Sequence, residues 1–393
     1  MKLLFKRDVF LVMITAFIMY WIISLIPFSI SKINPYNNVI KDFELTDICF
    51  SKFHKSKTAG FDPRIVIVDI GHVDRGQMAE MIKEIVTFKP RVIGIDVLYE
   101  GAAGSFADST LKEQLGKENN IILGSQLKLT GGKFEEQPGV FASKDSLHGF
   151  VNLVGEDIGT IRYFTPKESS GEKTFYNFST LIAKAYDSTS FKRLINRNNN
   201  TELINYRRKE NEFLIVNYED LLTGKVNGDF FRDKIVLMGY INSGPFDFED
   251  MKFTPFNEKY AGKSLPDMNG VLIHANTITT ILDKAYINSI NPWLNWLIIL
   301  LVSWLHVCFF VNISLRNGGP LQHVFVKTIQ FITIILLIYA NIILFDRYDL
   351  RIDTATLLVI LAIDVDIIIF YRALVKRLHK KFGVKTIYQV KKG

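Results

Sequence analysis

Two cysteines are all that 393 residues provide. Cys49 sits in a stretch of ordinary polarity and Cys308 inside a long apolar run. One water-facing thiol and one membrane-type thiol make a poor pair, so no disulfide is expected. No set of His and Cys has the spacing of a structural zinc site. Nucleotide chemistry lacks its phosphate cradle, because no G-x-G-x-x-G follows the first strand pattern and no Walker loop occurs. A G-x-S-x-G elbow and an H-E-x-x-H helix are also missing. No internal repeat is present.

Apolar residues, by contrast, are abundant. Mean hydropathy is +0.15 and aromatics make up 13% of the chain, both high for a water-soluble protein. The excess is local to the two ends, and the long middle is ordinary in composition. That division fits a membrane protein with one large water-facing domain. Four runs have the length to span the hydrocarbon layer: 9–30 ("VFLVMITAFIMYWIISLIPFSI"), 293–315, 328–345 and 354–371. Each covers roughly 30 Å at about 1.5 Å per residue. The first is too long for a signal-peptide core and has no small-x-small cleavage site, so it reads as an uncleaved anchor.

The net charge of +7 is concentrated beside these runs. Lys2, Lys6 and Arg7 precede the first. Arg372, Lys376, Arg377, Lys380, Lys381, Lys385, Lys391 and Lys392 follow the last. Basic flanks are topology signals before they are nucleic-acid signals, so no nucleic-acid partner is expected. They place residues 1–8 and the basic tail 372–393 in the cytoplasm and residues 31–291 outside it. Trp293 and Trp296 suit the outer interface. A bacterial inner-membrane, multi-pass location follows.

Asp364 and Asp366 interrupt the fourth run, in "LLVILAIDVDIIIFY". An acid at that depth costs about 2.5–3.5 kcal/mol on insertion scales. Two residues apart on a helix is about 200° of rotation, so the two cannot face one partner. The pair reads either as a proton, ion or signalling site or as polar glue between helices.

Residues 31–60 look like a stalk and linker. Order begins with "RIVIVDI", a β-branched run and hence a buried strand. "RGQMAEMIKEIVTF" has helical spacing, and "RVIGIDVLY" is the next strand. Strand, helix and strand within some 35 residues form a βαβ unit, so the two strands are expected as parallel neighbours. A helix with Asp108 at its N-cap, a strand "NIILGSQL" and a hairpin turning at 156–159 follow. Further on come a helix "TFYNFSTLIAKAYDS", a polar loop with a second hairpin over 196–216, and a core strand "KIVLMGYI". A long polar loop and a helix "VLIHANTITTILDKAYI" lead to the membrane. The fold class is therefore an α/β extracytoplasmic domain, with a mixed, partly parallel sheet and flanking helices. To it is added an α-helical membrane region of four transmembrane helices.

Asp69 and Asp96 close the first two strands, the end of a parallel sheet where α/β domains bind ligands. Turn and helix capping explain either one equally well. His72, His148 and His274 lie far apart without ligand spacing, so each reads first as a structural histidine.

The segments also resemble a known family. "RIVIVDI", "RVIGIDVLY", the helix of Asp108, "HGFVNLVGEDIGTIR", "LINY", "FRDKIVLMGYINSGPFDFEDMKFTP" and "NGVLIHANTITTIL" run in the order of the extracellular sensory domain called CHASE, type two. They cover about residues 61–290. The family layout is also similar: one N-terminal span, the sensory domain outside, then three clustered spans. Where the family usually has a Trp- and Pro-containing segment after the first strand, this chain has "GHVDRGQ". Family members usually continue into a cytoplasmic kinase, cyclase or diguanylate cyclase. Only "RALVKRLHKKFGVKTIYQVKKG" follows the fourth run here, so a sensor without its output module is expected.

The resemblance implies a non-catalytic sensor without cofactor or metal. It would relay an envelope or environmental signal to a separate cytoplasmic effector. Its ligand or envelope partner is unnamed by the sequence. Sensors of this layout are often dimers, although no heptad seam specifies one here. Asp69, Asp96, Asp247, Thr254, His274 and Asn276 are the candidate ligand-binding residues, the last four because they lie in the best-matching pieces. Two alternatives stay open. One is an assembly component that docks envelope proteins through the polar 246–270 loop. The other is a periplasmic metal-dependent hydrolase built on Asp69, Asp96 and Asp247, for which no nucleophile or ligand set completes the site.

Overall fold

The computed structural model describes residues 6–25, 44–53, 60–101, 104–142, 146–155, 159–242, 244, 247–257, 265–315 and 320–389. Positions 26–30 of the first apolar run, most of the expected stalk, the 156–158 turn and the end of the tail lie outside them. The chain divides into two units, residues 38–287 and residues 1–37 with 288–393. In chain order the helices used below are α1 (Arg7–Leu25), α2 (Arg75–Thr87), α3 (Phe106–Lys117), α4 (Phe178–Tyr186), α5 (Ser188–Asn196), α6 (Tyr218–Leu222), α7 (Gly270–Leu282), α8 (Pro292–Ser314), α9 (Pro320–Tyr348) and α10 (Ala355–Phe382).

The larger unit is built on a mixed sheet. Its strands are β1 (Ile65–Asp69), β2 (Val92–Ile95), β3 (Ile121–Thr130), β4 (Lys133–Pro138), β5 (Leu147–Phe150), β6 (Leu214–Asn217) and β7 (Ile235–Gly239). Their spatial order is β6-β1-β7-β2-β3-β4, with β5 beside the first half of β3. Only the β3–β4 pair is antiparallel. Parallel strands are covered on both faces, which is why their sequences read as continuous apolar runs. Val66, Val68, Ile93, Ile95, Val236 and Met238 pack against α2, α3 and α6 through Met78, Met81, Ile82, Ile85, Leu111 and Leu221. The opposite face receives α4 and α7. Gly94 in β2 admits that close approach, since a Cβ there would lie 2.5 Å from Ile182 and 2.9 Å from Phe178.

Several expectations need correction. β1 and β2 are parallel but not neighbours, because β7 lies between them and bonds to both. A βαβ crossover can skip one strand, and the most apolar later strand fills the gap. Asp108 is not the N-cap of α3. Ser105 is, and Asp108 sits at the third helical position, accepting from the backbone N–H groups of Gly104 and Ser105. The expected hairpin within 196–216 does not form. Glu202–Leu203 pairs with Tyr163–Phe164, and β6 pairs with β1 in parallel. "TFY" belongs to a strand, Lys173–Tyr176, and Asn177 caps α4. Across the 156–159 turn an antiparallel bridge joins Val154 and Tyr163.

Residues 44–53 are not part of a bare stalk. They form a helical segment that buries Cys49, Phe50 and Ser51. Its anchor is Asp47, whose two oxygens accept from Arg162 Nε at 2.8 Å and Nη2 at 2.6 Å. This bidentate pair is more than nine-tenths buried. Farther along, buried Asp62 accepts from Arg64 Nε and Nη2, and Arg64 also pairs with Asp283 just past α7. The entry to β1 is thereby tied to the exit of α7.

In the smaller unit α1, α8, α9 and α10 pack together. Val9, Val12 and Ala16 of α1 join Val307, Phe310 and Val311 of α8 and Leu361, Val365 and Ile368 of α10 in one apolar core. Outward residues such as Ile18, Trp21, Leu297, Leu305, Phe331 and Leu336 are apolar and exposed. Helices apolar all round suit a lipid surrounding. Among the described residues, three helices have the length and composition to cross a membrane: Arg7–Leu25, Pro292–Ser314 and Leu321–Tyr348. The fourth expected run is also helical but carries Asp364 and Asp366 in its apolar part.

The Asp47–Arg162 pair yields a test. Arg162→Ala leaves a buried carboxylate without its partner and should destabilise the larger unit by about 3–5 kcal/mol. Thermal or urea unfolding of the purified chain, followed by Trp-independent far-UV dichroism, measures it. A loss below about 1 kcal/mol would show that the 44–53 segment is not anchored there.

Candidate functional site

The carboxyl ends of β1, β7 and β2 lie side by side. Asp69 is level with Gly239, and Met238 with Ile95. The Asp96 N–H donates to the Met238 carbonyl at 2.8 Å, so Asp96 stands just past the last rung. Three loops leave this edge, and the polar residues that meet there come from all of them.

Asp69 organises backbone. Its Oδ1 accepts from the N–H of Gly71 at 3.0 Å and of Ile241 at 3.1 Å, which stitches the loop after β1 to the loop after β7. Gly71 has a φ of +50°, and Tyr218 lies where a Cβ would stand, so glycine is required. Asp247 accepts a short hydrogen bond from the Tyr240 hydroxyl and a second from the Glu249 N–H. Tyr240 in turn contacts His72, whose Nε2 lies 3.3 Å from the hydroxyl.

Asp96 and His274 come together. His274 Nε2 lies 3.9 Å from Asp96 Oδ2, too far for a hydrogen bond but close enough for strong electrostatic coupling. The other ring nitrogen, Nδ1, bonds Ser179 Oγ at 2.9 Å. Ser179, His274 and Asp96 are thus the residue types of a hydrolytic triad. Their arrangement is unlike one, because Ser179 has no solvent access at all. A nucleophile must reach its substrate.

Thr254 and Asn276 are spent on structure. The Thr254 N–H and hydroxyl both donate to Asp267, at 2.8 and 2.5 Å, closing the base of the long polar loop. Burial pushes the Asp267 carboxyl up to about 6 despite those donors. Asn276 is fully buried and pairs with backbone on both sides. Its Oδ1 accepts from Arg207 and Arg208 N–H groups, and its Nδ2 donates to the Arg208 and Leu272 carbonyls. His274 and Asn276 lie within α7 rather than at its start, which is Gly270.

Asp250 is the residue that sequence reasoning missed. It adopts a φ of +56° and accepts from the Gly270 N–H at 3.0 Å. It therefore caps α7 in place of the N-cap residue Asn269, whose side chain donates to the Glu249 carbonyl instead. A carboxylate is favoured at a helix N-terminus. Burial first, and then the charge of Asp96, push the Asp250 carboxyl up to about 6. Lys252 Nζ lies 3.7 Å away. Two facing carboxyls, an imidazole and an ammonium thus share the sheet edge. Such a set suits an amine-bearing or hydrogen-bonding solute. Among the described residues no group of three or more His, Cys, Asp or Glu is placed to hold a metal ion.

The CHASE2 domain family matches residues 41–310. The chain belongs to the CHASE2 domain family. The match covers more than the 61–290 expected from the sequence pieces. It takes in the 44–53 segment with Asp47 and continues through most of α8. CHASE2 domains are extracellular-type sensory domains, so the edge of Asp96, Asp250 and His274 belongs to a sensory domain. No curated protein and no solved structure matches the chain.

The carboxyl pair gives a pH prediction with a definite sign. A carboxyl whose pKa rises on folding favours the folded state most when protonated. That contribution is complete below about pH 4, the unfolded value, and disappears as pH rises through about 6. Asp250→Asn keeps an acceptor for Gly270 and removes the titration. Its stability relative to wild type should rise from about pH 4 to about pH 7. Asp250 keeps 38% of its side chain in water, so screening limits the gain to about 1 kcal/mol or less. Paired melting curves across that range check it, and a flat difference contradicts the raised Asp250 carboxyl.

Proposed function

We propose that the chain is a membrane-anchored extracytoplasmic sensor that relays its signal to a separate cytoplasmic effector and is not itself catalytic. The observation that carries this reading is the family match, which runs without a break from the α/β domain into α8. Only residues 283–291 lie between α7, which supplies His274, and α8. The input is a small polar solute bound at the edge of Asp96, Asp250, His274 and Lys252. The fully buried Ser179 supports a binding rather than a hydrolytic role.

In this reading α10 is a fourth span, and both chain ends are cytoplasmic. The support is the pairing of its acids. Asp364 is fully buried, with His306 Nδ1 at 2.5 Å on α8 and Gln330 Nε2 at 3.4 Å on α9. Asp366 meets Lys327 of α9 at 2.7 Å. An acid within a membrane is tolerated when it faces a neighbouring helix and has a partner there. The basic residues from Arg372 onward then mark the cytoplasmic side of an inner membrane.

Two experiments test these statements. In a chain whose native cysteines are replaced by serine, single substitutions Asn199→Cys, Tyr348→Cys and Lys385→Cys are exposed to an impermeant maleimide on spheroplasts. Asn199→Cys and Tyr348→Cys should label, and Lys385→Cys only after lysis. Labelling of Lys385→Cys in intact spheroplasts would overturn the four-span arrangement. For the input site, a thermal-shift screen of the full chain against amines, amino acids and small metabolites should find a stabiliser. Asp96→Asn should weaken its effect at least about tenfold, as loss of one charge-assisted contact does. If no solute shifts the melting but an envelope protein co-purifies, the domain docks rather than senses.

A further inference from the structure

A half-open cleft of about 200 Å³ lies among α8, α9 and α10. Its wall on α10 is a stripe at helical spacing, Val365, Ile368, Ile369 and Arg372, faced by Phe310 of α8 and by His323 of α9. The lower part is apolar and one end is basic. Ser314 closes α8, His323 lies in the first turn of α9, and Arg372 follows the apolar part of α10. Two chain reversals therefore put the basic end at a single depth, where an apolar bundle meets its polar surface.

Among the described residues neither Arg372 nor His323 has an acidic partner. Among the described residues Arg372 lies over the Tyr388 ring, whose centroid is 5.9 Å from the guanidinium carbon. Tyr388 is itself fixed through its hydroxyl to Ser314 Oγ at 3.1 Å. The guanidinium is positioned without being neutralised. Elsewhere in the bundle the cation Lys327 is paired with Asp366.

We propose that this cleft binds one anionic phospholipid, its acyl chain against exposed Ile369 of α10 and half-buried Val326 of α9 and its phosphate on Arg372 and His323. Arginine suits a phosphate because its planar fork presents parallel donors. A zwitterionic lipid would bring its own ammonium to the same guanidinium and gain less. Phosphatidylglycerol is the fitting source, and free phosphate would leave the apolar wall uncovered. The inference rests on α10 being a span, which the labelling experiment decides separately. Correct topology with no lipid effect would therefore remove this site alone.

The test uses the full chain, delipidated in neutral detergent. Phosphatidylglycerol, phosphatidylcholine of the same acyl chains, or inorganic phosphate is titrated in while the melting temperature is followed. Phosphatidylglycerol should raise it, and the other two should not. In Arg372→Gln the half-saturating phosphatidylglycerol concentration should rise about fivefold, the effect of one basic residue at a lipid surface. Lys380→Gln, outside the cleft, should behave as wild type. Ile369→Trp keeps Arg372 and His323, fills the apolar wall and should also weaken the response, which serves if Arg372→Gln does not fold. Equal shifts with phosphatidylcholine, an equal shift with phosphate alone, or an unchanged response in both variants would overturn the proposal.

Discussion

Strand β7, at Ile235–Gly239, is hydrogen-bonded to both β1 and β2, and much of the larger unit depends on that double pairing. Every strand that β7 touches runs parallel to it. Their carboxyl ends must then collect at one edge, and the loops that leave them must start there. Asp69, Tyr240 and Asp96 are consecutive along that edge for this reason alone. The same pairing exposes two apolar faces, which forces helices onto both. α7 covers one of them, and so His274 reaches the edge from below while Asp250 caps the helix from above. The polar cluster follows from sheet geometry plus one helix start.

Much of this was legible in the sequence, and the limits have physical causes. β1, α2, β2 and β7 announce themselves through β-branched runs and helical spacing, since those signals are local. The order of strands is not local. A crossover from β1 to β2 closes equally well with or without a strand between, so periodicity could not place β7. The 44–53 segment was hidden for a similar reason. It looks like linker because its anchor, Asp47 to Arg162, joins residues far apart in the chain. Asp108 misled by its charge. The capping box begins at Ser105, and the acid three residues on is its partner.

At the candidate site, sequence reasoning found strand ends but not what lies against them. Asp96 and His274 do meet. Thr254 and Asn276 turn out to satisfy backbone and loop groups, a use that sequence position cannot distinguish from ligand contact. Asp250 was invisible because its role comes from a left-handed turn inside a polar loop. One signal was available. A polar residue some twenty positions before a helix that opens on "NG", with no good side-chain cap of its own, leaves orphan N–H groups to be met from elsewhere.

The smaller unit obeys the complementary rule. In the larger unit apolar side chains are drawn inward and polar ones are left to water. In the bundle, apolar side chains cover the outside as well, and the acids within its apolar part are met from a neighbouring helix. Asp364 with His306, Asp366 with Lys327, and Asp8 with Tyr371 each join two helices. Sliding or rotating one helix past another would separate such a pair and leave a charge or hydroxyl without its partner in an apolar setting. Apolar contacts alone would exact no such penalty, because one Leu surface replaces another almost freely. The polar pairs therefore give the bundle a defined register.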